Sequence, residues 1–498
     1  MADVLRRLAH NPWFWVIVVA LAIRLATLGI YPLGDTTEAR YAEIARKMVE
    51  TGNWLTPQFD YGVPFWGKPP LSTWLRAVSF ELFGVNEFAA RLPSWFIALG
   101  ILWLTFQLGR RERGTDVAWI AATLLTTSVL FYILAGAVLM DPLMTLGTTL
   151  SMLAFWRAMR GDGRMWGYLV FVGLAIGLMA KGPVAVVMTG LPLFFWLLFT
   201  GQWKTFWQHI PLISGSLLML ALAAPWYILA ERATPGFLEY FFIGEHWKRF
   251  TEPGWQGDLY GNAHTSPKGK IWIEWLVAAF PLSFALITGL GILLWKQRRR
   301  AIRQLGDDWT LYLLCWALSP MLFFTFSGNV LATYVFPGLP ATALLVASWY
   351  RPDPARPERR RAIARFAFAS ALFPVFFLLV ILFYLPKVWD RNSEVFLIEH
   401  LQQQDPQGTT RLYYLYRRPF SAEFYSRGKA RLLKSPKQMR EVITPGTPVY
   451  FAVEAPYVKG LPADLKACLD DMGRYGRYVL LRTTPSCPAA KTMSDQSQ

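Results

Sequence analysis

The chain has 498 residues, of which 54% are hydrophobic, 16% are aromatic and 17% are charged, and its formal net charge is +17. This composition excludes a disordered protein and argues against a soluble enzyme, in which about a quarter of the residues are charged. The three cysteines are too few for a disulfide-built scaffold. Either nucleic-acid binding or a membrane protein with basic cytoplasmic loops would explain the positive charge.

About eleven apolar stretches are long enough to cross a hydrocarbon core of about 30 Å, which takes about 20 residues of helix. One or two more helices could be contained in 209–230 or 364–386, so we predict about 11 to 13 transmembrane helices. The stretches lie at 13–32, 92–109, 117–139, 142–158, 165–181, 183–200, 209–230, 272–295, 309–327, 330–349 and 364–386.

Basic clusters occupy every second loop between these stretches. With about eleven spans they all fall on one side, which the positive-inside rule assigns to the cytoplasm together with the N-terminus. A nucleic-acid-binding protein has no reason for this alternation, so we expect no nucleic-acid partner. The clusters are Arg6/Arg7, Arg110/Arg111/Arg113, Arg157/Arg160/Arg164, Lys204, Lys296/Arg298/Arg299/Arg300/Arg303 and Arg351/Arg356/Arg359/Arg360/Arg361.

The opposite side carries two long loops and the tail. We predict a mainly α, polytopic membrane domain over residues 1–386, with an outer loop 33–91 that contains interfacial helices and an outer loop 231–271. Residues 387–498 are polar, contain strand-like runs and predict a small α/β domain outside the membrane. Its two cysteines, Cys468 and Cys487, either pair or remain free.

The first candidate site follows the first apolar stretch directly. Asp35, Glu38 and Arg40 place two acids and a base at a membrane boundary, where ionisable residues are often functional. The alternative is structural: Asp35 or Thr36 caps a helix that has Glu38 in its first turn. Both interpretations can hold together.

Two further residues stand at other membrane boundaries. Lys68, among aromatic residues and before two prolines, would suit a phosphate, or it snorkels toward the interface. Asp141 either caps the helix that Pro142 begins or belongs to an outward-facing site.

The second outer loop adds Glu245, His246 and His264, a set that could bind a divalent metal, although loop histidines are often only hydrogen-bonded. The chain has no glycine-rich nucleotide loop, Walker motif or nucleophile elbow. An enzyme of the outer face, where nucleotides are not supplied, would take its activated group from a membrane-soluble donor.

These residues resemble bacterial glycosyltransferase family 39, which contains lipid A aminoarabinose transferases and relatives of the protein mannosyltransferases. The resemblance covers about residues 10–350 and, more loosely, 418–429. Several short pieces match the family in the same order along the chain, and together they are more specific than any one piece. The matching pieces are 35–46, 52–57, 67–70, 140–142, 181–183, 225–227, Glu245-His246 with Arg249-Phe250, and Tyr334 with Pro337.

The resemblance implies a C-type glycosyltransferase of the bacterial inner membrane, with its active site and C-terminal domain in the periplasm. Such enzymes invert the anomeric centre and use a polyprenyl-phosphate sugar, here with lipid A, another glycan or a protein as acceptor. The family pattern makes Asp35, Glu38 and Asp141 the catalytic carboxylates. The expected donor-phosphate residues are Arg40, Lys68, Arg249 and Tyr334.

The sequence departs from the aminoarabinose enzymes at two positions. Thr37 replaces the aspartate that usually precedes the glutamate, and Gly67 replaces a glutamate that resembles a metal ligand of the family. The remaining candidate ligands for a divalent metal are therefore Glu245, His246 and His264. The competing function is a transporter or flippase of lipid-linked sugars, which would more often show an inverted repeat.

Overall fold

The computed structural model describes residues 10–261, 265–296, 307–349, 357–405, 410–444 and 448–484. Helix predominates in these residues, which confirms the mainly α prediction. The α-helices are Pro12–Ala26, Thr37–Thr51, Leu71–Phe83, Glu87–Arg113, Thr115–Thr126, Val129–Leu134, Asp141–Met159, Arg164–Ala180, Val184–Thr200, Trp203–His209, Leu212–Ala233, Arg249–Thr251, Lys270–Ala278, Leu282–Lys296, Asp308–Phe324, Leu339–Trp349, Pro357–Leu379, Leu385–Asn392, Val395–Gln404, Phe420–Tyr425, Pro436–Val442, Ala455–Val458 and Ala463–Ala467.

Other regular elements are short. Two π-helical segments, Glu239–Lys248 and Val380–Tyr384, and one 3₁₀ segment, Ala332–Gly338, interrupt the α-helices. The strands are Gln58–Asp60, Val63–Pro64, Arg411–Leu415, Arg431–Leu433, Val449–Glu454, Leu469–Tyr475 and Tyr478–Thr483.

Each predicted apolar stretch overlaps a helix, but the first, 13–32, is helical only as far as Ala26. Three helices among the described residues are long and apolar enough to cross a membrane alone: Glu87–Arg113, Leu212–Ala233 and Ala332–Trp349. The predicted span 272–295 is a pair of helices bent by 105°. Six shorter apolar helices have 10–17 residues.

One predicted span, 117–139, is divided into Thr115–Thr126 and Val129–Leu134. The break occurs where the Val129 amide leaves the helical pattern and donates to the Phe280 carbonyl at 2.9 Å. Thr126 and Thr127 donate their hydroxyls to carbonyls one turn earlier, so the polar groups at the break are bonded inside the protein. The apolar pattern of the sequence does not indicate this interruption.

The described chain divides into two compact units. The membrane unit comprises Met1–Leu28 with Lys47–Leu378, and the tail unit comprises Gly29–Arg46 with Leu379–Gln498, within the described residues. The division therefore lies close to the predicted boundary after residue 386. It also assigns the first part of outer loop 33–91, which contains Asp35, Glu38 and Arg40, to the tail unit.

In the membrane unit, a close helix pair places two site residues. A Cβ added to Gly147 would lie 2.5 Å from the Gly173 carbonyl oxygen, so the helices Asp141–Met159 and Arg164–Ala180 approach through glycine. The first helix begins at Asp141 and the second ends immediately before Lys181. The close packing of the two helices therefore fixes the positions of Asp141 and Lys181 at the same end of the pair.

The tail unit contains a five-stranded mixed sheet, the C-terminal sheet. Its strands are ordered 431–433, 411–415, 449–454, 478–483 and 469–475, of which the first three are parallel and the last two run antiparallel to their neighbours. Apolar side chains cover both faces. This arrangement confirms the predicted α/β region.

Candidate active site

Lys68 lies immediately before Pro69 and Pro70, which precede the helix Leu71–Phe83. Its ammonium group donates to the Gly67 carbonyl at 2.6 Å and pairs with the Glu245 carboxylate. The Lys68 side chain is 16% exposed. It therefore binds a buried acid instead of extending freely to the interface as a snorkelling lysine would.

Glu245 lies in the π-helical segment Glu239–Lys248 and binds two cations. Besides Lys68, it accepts hydrogen bonds from Arg249 Nη1 at 2.9 Å to Oε1 and 2.8 Å to Oε2. Arg249 also lies 3.4 Å from Asp258. Two cations thus face two carboxylates, and the group is electrically balanced as it stands.

The ionisation of this group follows from its contacts. Burial by itself would raise the pKa of Glu245, but Lys68 and then Arg249 outweigh it and hold that pKa below its usual value. Burial would likewise lower the pKa of Arg249, but the Glu245 carboxylate outweighs it and raises that pKa. Glu245 is therefore a carboxylate at neutral pH and both of its partners are cations.

Asp141 does not cap its own helix. No side-chain capping bond exists at this N-terminus, and Asp141 is 6% exposed. Lys181 donates to its Oδ1 at 2.6 Å and lies 4.6 Å from the centre of the Tyr334 ring. Of the two sequence interpretations of Asp141, the structure excludes the cap.

Tyr334 connects the two ion-pair groups. The charges that act on its phenol are those of Arg249, Lys68, Asp141 and Glu245. The membrane unit therefore brings together five predicted site residues from four parts of the sequence: Lys68, Asp141, Glu245, Arg249 and Tyr334. Lys181 was not among the predicted site residues, although its turn, 181–183, is one of the pieces that resemble the family.

His246 does not face a ligand position. Its Nδ1 lies 2.7 Å from the Phe241 carbonyl oxygen and its Nε2 lies 3.3 Å from the Lys181 carbonyl oxygen. Burial and then the charge of Lys68 lower its pKa to about 4, so the ring is neutral near pH 7. A neutral imidazole donates through one nitrogen only.

The described residues do not fit a metal ion. No three His, Cys, Asp or Glu side chains among them form a group that could hold one, and His264 lies outside the described residues. The Glu245 oxygens bind cations of the protein, and the His246 nitrogens face carbonyls. A Cβ at Gly67 would lie 2.8 Å from the Phe65 ring, so a glutamate there would require that ring to move.

Asp35 lies in the tail unit and binds another part of that unit. Its Oδ1 accepts from the Ser421 amide at 3.1 Å, and the Ser421 hydroxyl donates to its Oδ2. The Asp35 amide donates to the Asn392 carbonyl at 2.8 Å. Burial raises the pKa of Asp35, although the hydrogen bonds from Ser421 act against this shift.

The helix Thr37–Thr51 carries the other predicted residues of this loop, with Glu38 in its first turn. The Arg40 guanidinium lies 5.1 Å from the Tyr41 ring centre. The Asp35 carboxylate accepts hydrogen bonds from Ser421, and the predicted cap by Asp35 or Thr36 stays a prediction. That this acidic turn meets Lys68 stays a prediction, since the two belong to different units.

Comparison with known families gives a match to the family described as dolichyl-phosphate-mannose-protein mannosyltransferase, over residues 12–241. Two similar proteins are both named undecaprenyl phosphate-alpha-4-amino-4-deoxy-L-arabinose arabinosyl transferase. The one from Enterobacter sp. (strain 638) is 32% identical over 334 residues, which is 65% of this chain and 56% of the relative. The one from Edwardsiella ictaluri is 31% identical over 346 residues, which is 68% and 59%. The chain thus spans less than two thirds of the length of these relatives.

The fold is shared with ArnT from Cupriavidus metallidurans bound to undecaprenyl phosphate. The TM-score is 0.78 at 20% sequence identity, and the match covers 95% of this chain and 98% of the other. The archaeal oligosaccharyltransferase AglB from Archaeoglobus fulgidus gives a TM-score of 0.50 at 12% identity, over 84% of this chain and 64% of the other. These matches extend the similarity from the matched family region to nearly the whole fold.

Proposed function

We propose that this chain, whose residues 12–241 match the family described as dolichyl-phosphate-mannose-protein mannosyltransferase and whose fold is that of a C-type glycosyltransferase, transfers a sugar from a polyprenyl-phosphate donor with inversion. The acceptor is lipid A, another glycan or a protein, on the outer face of the bacterial inner membrane. The names of the relatives favour undecaprenyl phosphate as the lipid and 4-amino-4-deoxy-arabinose as the sugar.

The observation that supports this proposal most is the cluster of Lys68, Arg249 and Glu245. Lys68 and Arg249 converge on one buried anion, the Glu245 carboxylate, in an outer region where a lipid-linked phosphate would present its charge. A donor phosphate would compete with Glu245 for the same two cations. As the bond between sugar and phosphate breaks, charge grows on the departing phosphate, and fixed cations in a poorly hydrated site stabilise it.

Carboxylates serve the acceptor in this proposal. The acceptor oxygen bonds to the anomeric carbon on the face opposite the leaving polyprenyl phosphate, and a hydroxyl acceptor gives its proton to a carboxylate. Such a transfer contributes about 10²–10⁴-fold to the rate. Asp141, Glu38 and Asp35 are the proposed groups, and for a phosphate acceptor, which is already ionised, they would position it. Tyr334 and Arg40 complete the proposed donor side.

The test uses the full-length protein in lipid nanodiscs with an undecaprenyl-phosphate sugar and lipid A. We expect Lys68→Met to lower turnover at least about 100-fold, because a single electrostatic group of this kind contributes about that much. Lys248→Met is the matched control, since Lys248 is an exposed cation beside Arg249 and should change turnover little. Mass spectrometry of the glycolipid and of released undecaprenyl phosphate gives the readout.

Two outcomes would contradict the proposal. If the wild-type chain releases no undecaprenyl phosphate with any of the three acceptor classes, it is not the proposed transferase. Movement of the intact lipid-linked sugar across a sealed vesicle, with the glycosyl bond preserved, would instead identify a flippase.

A further inference from the structure

The C-terminal sheet has a point where its winding reverses. From strand 411–415 the chain passes through the helix Phe420–Tyr425 to strand 431–433 on one side. It then returns through the helix Pro436–Val442 to strand 449–454 on the other side. The two helices contribute to opposite apolar faces, since Ala422 packs on one and Met439 on the other. In α/β sheets, ligands bind outside the carboxyl ends of the strands at such a reversal.

Two exposed tyrosines stand at this reversal. Tyr416 directly follows one strand and Tyr457 follows the other, and their rings lie 5.3 Å apart at 67°. They are 47% and 51% exposed, which is unusual for two large side chains that contact each other at the end of a sheet. Tyr416 also has a φ of 66°, a strained conformation for a non-glycine residue.

Two exposed arginines lie at the same edge of the sheet as the tyrosine pair. Arg417 follows Tyr416, and its charge reaches Asp35, whose pKa it acts to lower. Arg477 lies at the same edge, because its carbonyl accepts from the Ala455 amide at 3.0 Å, just beyond strand 449–454. Both arginines are exposed. Arg477 also donates to Asn392 Oδ1 at 3.3 Å, so the edge offers two aromatic rings, the Arg417 guanidinium and the remaining donors of Arg477 to one ligand.

We propose that Tyr416, Arg417, Tyr457 and Arg477, the switch-point surface, bind the anionic saccharide headgroup of the acceptor. A tyrosine side chain presents an apolar ring face, which suits the C–H groups of a sugar, and a hydroxyl, which can hydrogen-bond to it. Arginine binds phosphate or carboxylate through paired hydrogen bonds. The proposal rests on the proposed transferase function and adds a site for its second substrate.

The surface fits the acceptor better than the donor because of its neighbours. Asp35, one of the carboxylates proposed to act on the acceptor, belongs to the same unit and lies within reach of the Arg417 charge. Of the proposed donor cations, Arg40 belongs to the tail unit, whereas Lys68 and Arg249 belong to the membrane unit and already form a group of their own.

Steady-state kinetics of the full-length enzyme test the site with bisphosphorylated lipid A as the acceptor. We expect Tyr416→Gly and Arg417→Gln each to raise the acceptor KM about tenfold, equivalent to the loss of about one hydrogen-bonded contact, with the donor KM unchanged. With dephosphorylated lipid A, the effect of Arg417→Gln should disappear. Glycine at 416 accepts the positive φ, so this variant keeps the backbone.

Arg427→Gly is the matched control. Arg427 is exposed, lies in the same unit and has a φ of 53°, so this change also removes a charge and relieves strain. An equal rise in acceptor KM for Arg427→Gly, a rise in donor KM, or no change in the switch-point variants would overturn the proposal. Native mass spectrometry of lipid A bound to the full chain without donor separates this outcome from failure of the transferase function, because binding there needs no turnover.

Discussion

Individual charged residues in the membrane unit are fixed by partners that are distant in sequence. Lys68 lies 177 positions from Glu245, and Lys181 lies 40 positions from Asp141. Sequence alone identifies such residues as unusual, because a charge at a membrane boundary needs a partner. It does not identify the partner. For this reason the sequence suggested Glu245 as a candidate metal ligand, whereas in the folded chain its carboxylate binds Lys68 and Arg249.

His246 gives a prediction at this scale. Its pKa is lowered from the ordinary 6.5 to about 4, so the unfolded chain takes up a proton before the folded one does. This contribution to stability is complete above pH 6.5 and is lost as the pH falls toward 4. Thermal unfolding in detergent should show a decrease in Tm across this window that is smaller in His246→Gln. Parallel curves for the two proteins would show that His246 is not responsible.

Helical elements owe their close packing to single glycines. Gly147 lies against the backbone of the neighbouring helix, whereas a Cβ at Gly190 would meet no atom within 4 Å. Helix propensity favours alanine over glycine at both positions by about 1 kcal/mol. The two positions therefore differ only in their surroundings, and they form a matched pair.

We expect Gly147→Ala to lower stability by about 1–3 kcal/mol, because the added methyl group meets backbone that cannot move aside. The change should also reduce transferase activity, since it displaces the helix ends that carry Asp141 and Lys181. Gly190→Ala should leave both properties unchanged or raise stability slightly. Denaturant midpoints and turnover measure the two effects. Equal stability of both variants would mean that the helix pair tolerates a wider separation.

For the whole molecule, the arrangement of basic loops supports a cytoplasmic N-terminus and a periplasmic tail unit, which we propose as the orientation. Alkaline phosphatase, which is active only in an oxidising compartment, should be active when fused after residue 484 and inactive when fused in the loop that contains Lys204. A green fluorescent protein at the same two positions should give the reverse pattern. Fluorescence at the tail would invert the proposed topology.

The sequence by itself determined the fold class, the position of the apolar helices and the α/β nature of the tail. These properties follow from local hydrophobic runs and periodicity, which each segment carries independently of the others. Between Thr126 and Val129, where the helix is interrupted, the Val129 amide donates to the Phe280 carbonyl, a contact that no local pattern contains.

Tertiary structure alone decided the partners of the charged residues and the assignment of residues 29–46 to the tail unit. It also placed Tyr416 beside Tyr457, because strand order sets which loops meet. Ion pairs and loop contacts of this kind join segments tens to hundreds of positions apart, and their geometry depends on how whole elements pack. No local pattern contains that information, so a site can be anticipated residue by residue while its chemistry depends on the folded chain.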